Sequence, residues 1–449
     1  MLDDKIYKFL ENSGPIFFVT PTVGRAIGLE GVLPDFHIVY CQKSDNTELL
    51  RTAGAKLYRL EKDLKNSGKI LSDPEVIKYI KDNARGKTPN IITFKPSPMI
   101  EMVCERNNFR YLGNSSSINR EWEDKIKFAE ITTALGVSNA NSRIIKIEKE
   151  KIEQLCGSLD FQTKKYVIQF SRGNSGNSSF VVDEKQKLLS ILEENIGRKA
   201  KLSDFVEGDT YTFDVCIAEF GFRVSQPIFQ ITGWAELNGN ALGTCGNDYS
   251  FGKNLGEETI NDLHISIKKV VDKISSVGYR GILGFDFVVG SGVVHLIEVN
   301  PRQVGSIPVF TKLQLAGGEI PFLLLHILSF LDFDFQGLEI KGPRQYFAFS
   351  QIILRNVKSV PLIVKKSMRS GIYRLDGDKM EFIRAAYFAD EQMVGGEFFL
   401  AVSSEGELID PDMEYANIQV SCGIMETRNS FTEAFARIKE SVLKNIILS

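Results

Sequence analysis

The chain has 449 residues, 43% of them hydrophobic and 25% charged, and a formal net charge of -3. That length exceeds a single hydrophobic core and predicts two to four domains. The ordinary composition excludes disorder and collagen-like repeats, and the near-neutral charge leaves no basic footprint for nucleic acid. The six cysteines lack C-x-x-C spacing, which excludes a zinc or disulfide framework and predicts free thiols in a reducing, cytoplasmic setting.

From Pro15 onward, short apolar runs (Ile16 to Thr20, Phe36 to Tyr40, Lys56 to Leu60, Ile91 to Phe94) alternate with helix-like segments such as Asp73 to Asn83 and Met99 to Asn107. This alternation predicts a parallel sheet wrapped by helices, an α/β domain over residues 1–115. No signal peptide is expected in the charged N-terminus. The turn at Pro21 to Gly28 lacks G-x-G-x-x-G spacing and is not read as a dinucleotide site.

Behind the polar cluster Ser115 to Ser117, Trp122, Ile126, Ala129 and Leu135 recur at helical spacing and predict one helix ending at Gly136. Residues 164–182 read as a strand, a glycine- and serine-rich loop and a second strand. Gly173, Gly176 and small neighbours such as Ser175 would free backbone N–H groups to wrap phosphate oxygens. Lys201 to Ala218 reads as a strand, a tight turn at Glu207-Gly208-Asp209, and an alternating strand. The Gly- and Asn-rich stretch Gln226 to Asn254 reads as a long functional loop, with Trp234 and Glu236 its expected acceptor-binding residues.

Residues 281–306, GILGFDFVVGSGVVHLIEVNPRQVGS, hold the densest chemistry. Two β-branched apolar runs flank Gly290-Ser291-Gly292, the signature of a hairpin. A turn centred on Ser291 would pair residues whose numbers sum to 582 and place Asp286, Glu298 and Asn300 on one face. Hard oxygen ligands without Cys or His suit Mg²⁺ (or Mn²⁺) shared with nucleotide phosphates, and Arg302 would offer phosphoryl oxygens a fixed cationic fork. Beyond it, Gly317 to Phe330 reads as a buried apolar helix, too short to span a bilayer. Runs at Tyr346 to Leu354, Gly371 to Leu375, Glu381 to Phe388 and Glu397 to Val402 predict a second small sheet. A final helix is expected from the capping box at Ser430 to Glu433.

The string E-V-N-P-R at 298–302, preceded by Asp286, resembles the metal hairpin of the ATP-grasp superfamily, and the overall layout is similar to its stand-alone amino-acid and dipeptide ligases. The resemblance implies an α/β and α+β multidomain fold. Its parts would be a Rossmann-like N-terminal domain, an ATP-grasp domain at 116–335 with its lid lobe at about 135–205, and a C-terminal α+β domain at 336–449. It further implies ATP and Mg²⁺ as cofactors and an ADP-forming carboxylate–amine ligase acting through an acyl phosphate. Small-molecule acid and amine substrates are implied, with no nucleic acid or membrane partner, and a homodimer is a further expectation. Asp286, Glu298 and Asn300 would bind the metal, with Lys125 and Arg302 at the transferred phosphoryl group. The lid would touch phosphate through Arg172, Gly173, Ser175 and Gly176, with Gln169 at the end of the preceding strand, where the family usually has a lysine or arginine. Lys165 and Arg172 are the nearby basic candidates to replace it. F-V-E-G-D resembles the adenine hinge, with Phe205 and Val206 on the base and Glu207 or Asp209 on ribose, although Ser203 stands where the family has a glutamate. A carboxylase or kinase acceptor, and a non-catalytic nucleotide-binding regulator, are the rival readings.

Overall fold

The computed structural model describes residues 3–171, 179–240, 242–340, 346–377, 379–390 and 392–449. Strands β1 (Ile16–Val19), β2 (Phe36–Tyr40), β3 (Lys56–Arg59), β4 (Asn90–Thr93) and β5 (Arg110–Tyr111) form a parallel sheet in the order β3-β2-β1-β4-β5. β1, β2 and β4 are buried at every position, as strands covered on both faces must be. Helices Pro74–Asn83 and Pro98–Asn107 begin at proline, with Asp73 and Ser97 accepting from backbone N–H groups of their first turns. The predicted parallel α/β unit is therefore present.

The helix expected from Ser115 to Gly136 is two helices, Ser116–Trp122 and Lys125–Ala134. Asp124 causes the break: its Oδ1 accepts from Ile126 N (3.0 Å) and Lys127 N (3.2 Å), an N-cap that begins a new helix. The lobe that follows contains β6 (Ser142–Lys146), β7 (Tyr166–Phe170), β8 (Ser179–Val182) and β9 (Lys199–Asp204), in the order β6-β9-β7-β8. One face packs Ile168, Val182 and Leu202 against two helices. By alternation, Gln169, Ser179 and Lys201 belong to the other face.

The central sheet has eleven strands. Its first part is β10 (Asp209–Ala218), β11 (Gly221–Val224), β12 (Ile228–Thr232), β13 (Thr244–Asp248), β14 (Gly281–Gly290) and β15 (Val293–Asn300). β16 (Ser350–Arg355) follows. Next, β17 (Leu362–Lys366) pairs outside this sheet with β21 (Leu408–Ile409), while β18 (Gly371–Asp376), β19 (Lys379–Arg384), β20 (Glu397–Val402) and β22 (Glu414–Val420) complete it. The order is β15-β14-β10-β12-β13-β16-β22-β20-β18-β19, with β11 beside β10.

Further expectations change here. The C-terminal strands are no separate small sheet, because β16 pairs with β13 and continues the central one. Gly246 permits the junction: a Cβ there would lie 1.9 Å from the Gln351 carbonyl oxygen. Likewise, Gln226 to Asn254 is no long loop, since it contains β12 and β13 with a bulge at Ile231/Thr232. The apolar helix expected over Gly317 to Phe330 is Phe322–Phe330, buried throughout, and a further helix, Ile307–Ala316, precedes it. The final helix, Glu433–Asn445, is capped by Thr432 rather than Ser430, which instead pairs with Thr427 in a two-stranded ribbon.

Candidate active site

The β14–β15 hairpin turns on two residues, Ser291 (φ 51°) and Gly292 (φ 77°), both left-handed as such tight loops require. Gly290 therefore faces Val293, one residue away from the register expected for a turn centred on Ser291. A second shift follows. Phe287 faces Leu296 but Asp286 faces Glu298, so Ile297 is the extra residue of a β-bulge. This bulge sets Glu298 directly opposite Asp286, and Asn300 opposite Gly284.

The three polar side chains meet in the cleft. Asn300 Nδ2 donates to Asp286 Oδ2 at 2.9 Å and, more weakly, to Glu298 Oε1 at 3.4 Å. Gln230 Nε2 donates to Asp286 Oδ1 at 2.7 Å. Burial, and then the charge of Glu298, push Asp286 well above the usual carboxylate range. Burial also works against ionisation of Glu298, but the positive charges of Lys125 and Arg302 outweigh it, and Glu298 titrates below its ordinary value. Two buried acids side by side thus resist ionising together, a cost that a divalent cation between them would remove.

Arg302 is held on three sides. Its Nε donates to Glu123 (2.8 Å), Nη2 to Asn300 Oδ1 (2.9 Å) and Nη1 to the Gln303 carbonyl (3.0 Å). Lys95 from the N-terminal domain binds the other oxygen of Glu123 at 2.5 Å. The remaining guanidinium N–H groups are fixed in direction, which is what a phosphoryl clamp needs. Lys125, at the start of its helix, bridges the two lobes: Nζ lies 2.8 Å from Ser179 Oγ and 3.5 Å from Glu298 Oε2.

Gln169 Nε2 also donates to Ser179 Oγ, at 3.0 Å. Directly across the β7–β9 ladder from Gln169 is Lys201, a functional candidate not singled out from the sequence. Lys201 is 4% exposed, and no hydrogen bond or ion pair reaches its ammonium among the described residues. Burial, reinforced by the charge of Lys125, lowers it to about 8. Lys165 lies at the hinge end of β7, where its carbonyl accepts from Phe205 N (2.9 Å), so its backbone serves the hinge. Arg172, Gly173, Ser175 and Gly176 lie outside the described residues.

The hinge is tightly seated. A Cβ on Gly208 would stand 2.3 Å from the Val289 carbonyl oxygen, and one on Gly290 would stand 2.4 Å from that of Glu207. Val206 packs on Gly290, and Phe205 is half-buried between the lobes' connecting strands. Glu207 is exposed and paired with Arg428 at 3.0 Å. Asp209, raised by burial, accepts a long 3.4 Å hydrogen bond from Tyr211 Oη.

Trp234 and Glu236, expected to meet an acceptor, are engaged by the C-terminal segment. Trp234 stacks on Phe431 (4.1 Å between centroids), and Lys439 both lies over the indole and pairs with Glu236. They dock the last helix onto the sheet.

Among the described residues, no cluster of three or more His, Cys, Asp or Glu is placed to hold a metal. A cation on this hairpin would rest on two carboxylates and an amide, leaving its other positions for phosphate oxygens, the arrangement Mg²⁺ commonly adopts with nucleotides. The donor set fits. No helix among the described residues is long and apolar enough to cross a membrane.

A family model described as an ATP-grasp domain matches residues 123–306. The carbamoyl phosphate synthase large chain of Neisseria gonorrhoeae is 22% identical over 363 residues, 76% of this chain and 32% of that protein. The arginine-specific large chain of Bacillus subtilis is 24% identical over 213 residues, 47% of this chain and 19% of that protein. The chain thus spans about a third or less of those relatives' length. Among solved structures, biotin carboxylase from Campylobacter jejuni (with β-γ-ATP) superposes with a TM-score of 0.62 at 15% identity, covering 97% of this chain and 92% of that one. Phosphoribosylamine–glycine ligase from Thermotoga maritima gives 0.57 at 13%, covering 97% of each. The biotin carboxylase domain dimer of Hydrogenobacter thermophilus 2-oxoglutarate carboxylase, with MgADP and bicarbonate, gives 0.60 at 14%, covering 97% and 90%.

Proposed function

We propose, from the match of residues 123–306 to an ATP-grasp domain model, that the chain is an ADP-forming ligase joining a small-molecule carboxylate to an amine. One observation carries the reading: two carboxylates and an amide on the bulged hairpin face three side-chain cations, Lys125, Lys201 and Arg302, from both lobes. Such a cleft matches the alternating charges of a magnesium nucleotide.

In this reading Asp286, Glu298 and Asn300 would hold Mg²⁺ or Mn²⁺, which supplies charge neutralisation at the β- and γ-phosphates. Lys125 and Lys201 would lie along the phosphates. Arg302 would neutralise charge on the transferred group. A carboxylate is a poor acyl donor because its leaving group would be oxide. Moving the γ-phosphoryl group of ATP onto a carboxylate oxygen gives an acyl phosphate and ADP. The amine nitrogen then forms the C–N bond, phosphate leaves with the C–O electron pair, and the amine's proton passes to solvent. Phe205 and Val206 are proposed to cover adenine, with Glu207 or Asp209 at ribose.

The test is ADP and phosphate release from MgATP with a panel of carboxylates and amines, singly and in pairs. Release that needs both supports the ligase. Release with bicarbonate or a hydroxyl compound in place of the amine would favour the carboxylase or kinase alternative, a reading helped by the fold likeness to biotin carboxylase domains. Nucleotide binding with no ADP formation across the panel would favour the regulatory alternative, to which Gln169 and Ser203 lend support. The Hydrogenobacter structure is described as a dimer; a homodimer is proposed here too, with sedimentation as its check.

A further inference from the structure

The central sheet carries an unbroken row of amides. Gln230, Asn247, Gln351 and Gln419 face one another in register on the adjacent strands β12, β13, β16 and β22. Directly paired residues share a face, and this is the face of Asp286, because Gln230 Nε2 holds Asp286 Oδ1. At the far end Gln419 Oε1 accepts from Ala389 N at 3.1 Å. Between them, the side-chain amides of Asn247 and Gln351 have no hydrogen-bond partner among the described residues. A polar strip therefore runs from the metal hairpin into the C-terminal part of the sheet, with its middle amides unspent.

A cation without an acceptor belongs to the same cleft. Arg25 stands in the short turn Val23–Arg25 just beyond the carboxyl end of β1, where open parallel sheets bind ligands. Its guanidinium lies 4.5 Å from the centre of the Phe94 ring, and that of Arg302 lies 5.4 Å from the same centre. Gly305 leaves room beside it: a Cβ there would be 3.7 Å from Arg25 Nη1. No hydrogen bond or ion pair satisfies this guanidinium among the described residues, although the charges of Glu414, Arg355 and Arg302 all act on it. Glu414 and Arg355 are themselves opposite one another on β22 and β16, so the charges acting on Arg25 come from the same two strands that carry Gln419 and Gln351.

We propose that this cleft binds the acid substrate, and that the substrate is a polar molecule bearing a second carboxylate, which Arg25 captures while Asn247 and Gln351 hydrogen-bond its polar backbone. The reacting carboxylate would then lie toward Arg302, the other guanidinium on the Phe94 ring. A monocarboxylate leaves Arg25 desolvated and unpaired, which costs binding free energy, so the pocket selects against it. The inference rests on the ligase reading for the identity of the neighbouring nucleotide site.

The probes are isosteric pairs: L-aspartate with L-asparagine, L-glutamate with L-glutamine, and succinate with succinamate. Thermal melts are recorded with saturating MgADP for the wild type, Arg25→Gln and Gln351→Leu. The expected result is that at least one diacid raises the melting temperature more than its amide. Arg25→Gln should abolish that preference while keeping the MgADP shift, and Gln351→Leu should weaken diacid binding about tenfold without abolishing the preference. The proposal is overturned if no diacid exceeds its amide, or if Arg25→Gln retains the preference. Loss of the MgADP shift from the wild type would instead refute the nucleotide-site reading, so the two failures are separable.

Discussion

Replacing Lys201 by methionine tests the nucleotide cleft most directly, because the same burial that suits the residue to an anion makes it costly without one. Burial lowers Lys201 from 10.5 to about 8. At about 1.4 kcal/mol per unit, keeping the ammonium charged in the ligand-free protein at pH 7 costs at most about 3 kcal/mol. Lys201→Met removes this cost and fills the same space, so ligand-free stability at pH 7 should rise by about 1–3 kcal/mol, read as a gain of a few degrees in calorimetry. Between pH 8 and 10.5 the unfolded lysine binds a proton that the folded one does not. Wild-type stability should therefore rise with pH across that window, and the advantage of the variant should vanish by its upper end. Nucleotide acts in the opposite direction. Phosphate oxygens would restore the ammonium's charge, so MgADP binding at pH 8.5 should take up about 0.7 proton. Titration calorimetry in two buffers of different ionisation enthalpy measures this uptake. Lys201→Met should abolish it and weaken MgADP about 10- to 100-fold, the worth of one charge-assisted hydrogen bond. A variant that is less stable at pH 7, yet binds MgADP like the wild type with unchanged proton uptake, would refute the assignment.

Exchanging the two cross-strand partners, Gln169→Lys with Lys201→Gln, should return MgADP affinity to within a few-fold of wild type, whereas Lys201→Gln alone stays weak; failure of the exchange would show that the direction of approach matters more than the charge. Glu298→Gln should lower turnover by orders of magnitude and leave circular dichroism and melting unchanged, and near-normal turnover would rule out a metal role for this side chain. Asp214 is fully buried with one partner, Ser306 Oγ at 2.8 Å, and burial raises it to about 7. Its folded value lies above its unfolded one, so stability should fall as pH rises from about 4 to 7, by at most about 4 kcal/mol. Asp214→Asn should flatten that fall, measured by urea titration at pH 5 and 8. Trp234→Ala should cost about 2–3 kcal/mol through lost stacking on Phe431 without altering KM for either substrate; a selective rise in KM would reinstate Trp234 as a binding residue.

What was legible in the sequence is what local chemistry decides. The strands Phe36–Tyr40 and Glu397–Val402 carry their own apolar signatures and appear at the predicted bounds. Helices with Asp or Ser before proline start where those caps place them. The hairpin was visible from its glycines, but its register was not. The left-handed pair Ser291-Gly292 and the bulge at Ile297 each shift the pairing by one residue, and neither leaves a composition signal. Gly246 read as loop chemistry because a glycine that admits a neighbouring backbone looks the same in sequence as one that turns the chain. The stacking of Trp234 was hidden for a related reason: its partners Phe431 and Lys439 lie far along the chain.

The basic residue missing at Gln169 was nevertheless informative. A ladder places directly opposed Cβ atoms about 5 Å apart, and a lysine side chain is longer than that, so a cation missing at Gln169 can be supplied by a strand neighbour aimed at the same volume. Lys201 occupies that position, buried and without a hydrogen bond or ion pair to its ammonium among the described residues, the charge of Glu298 acting on it only from farther off. Natural cores rarely bury an unpaired ammonium, so its presence beside an amide where a charge was expected constrains the ligand more tightly than either residue does alone. In the proposed nucleotide site the charge would keep its place while the strand that carries it changes, an exchange visible only in the cross-strand register and in no linear motif.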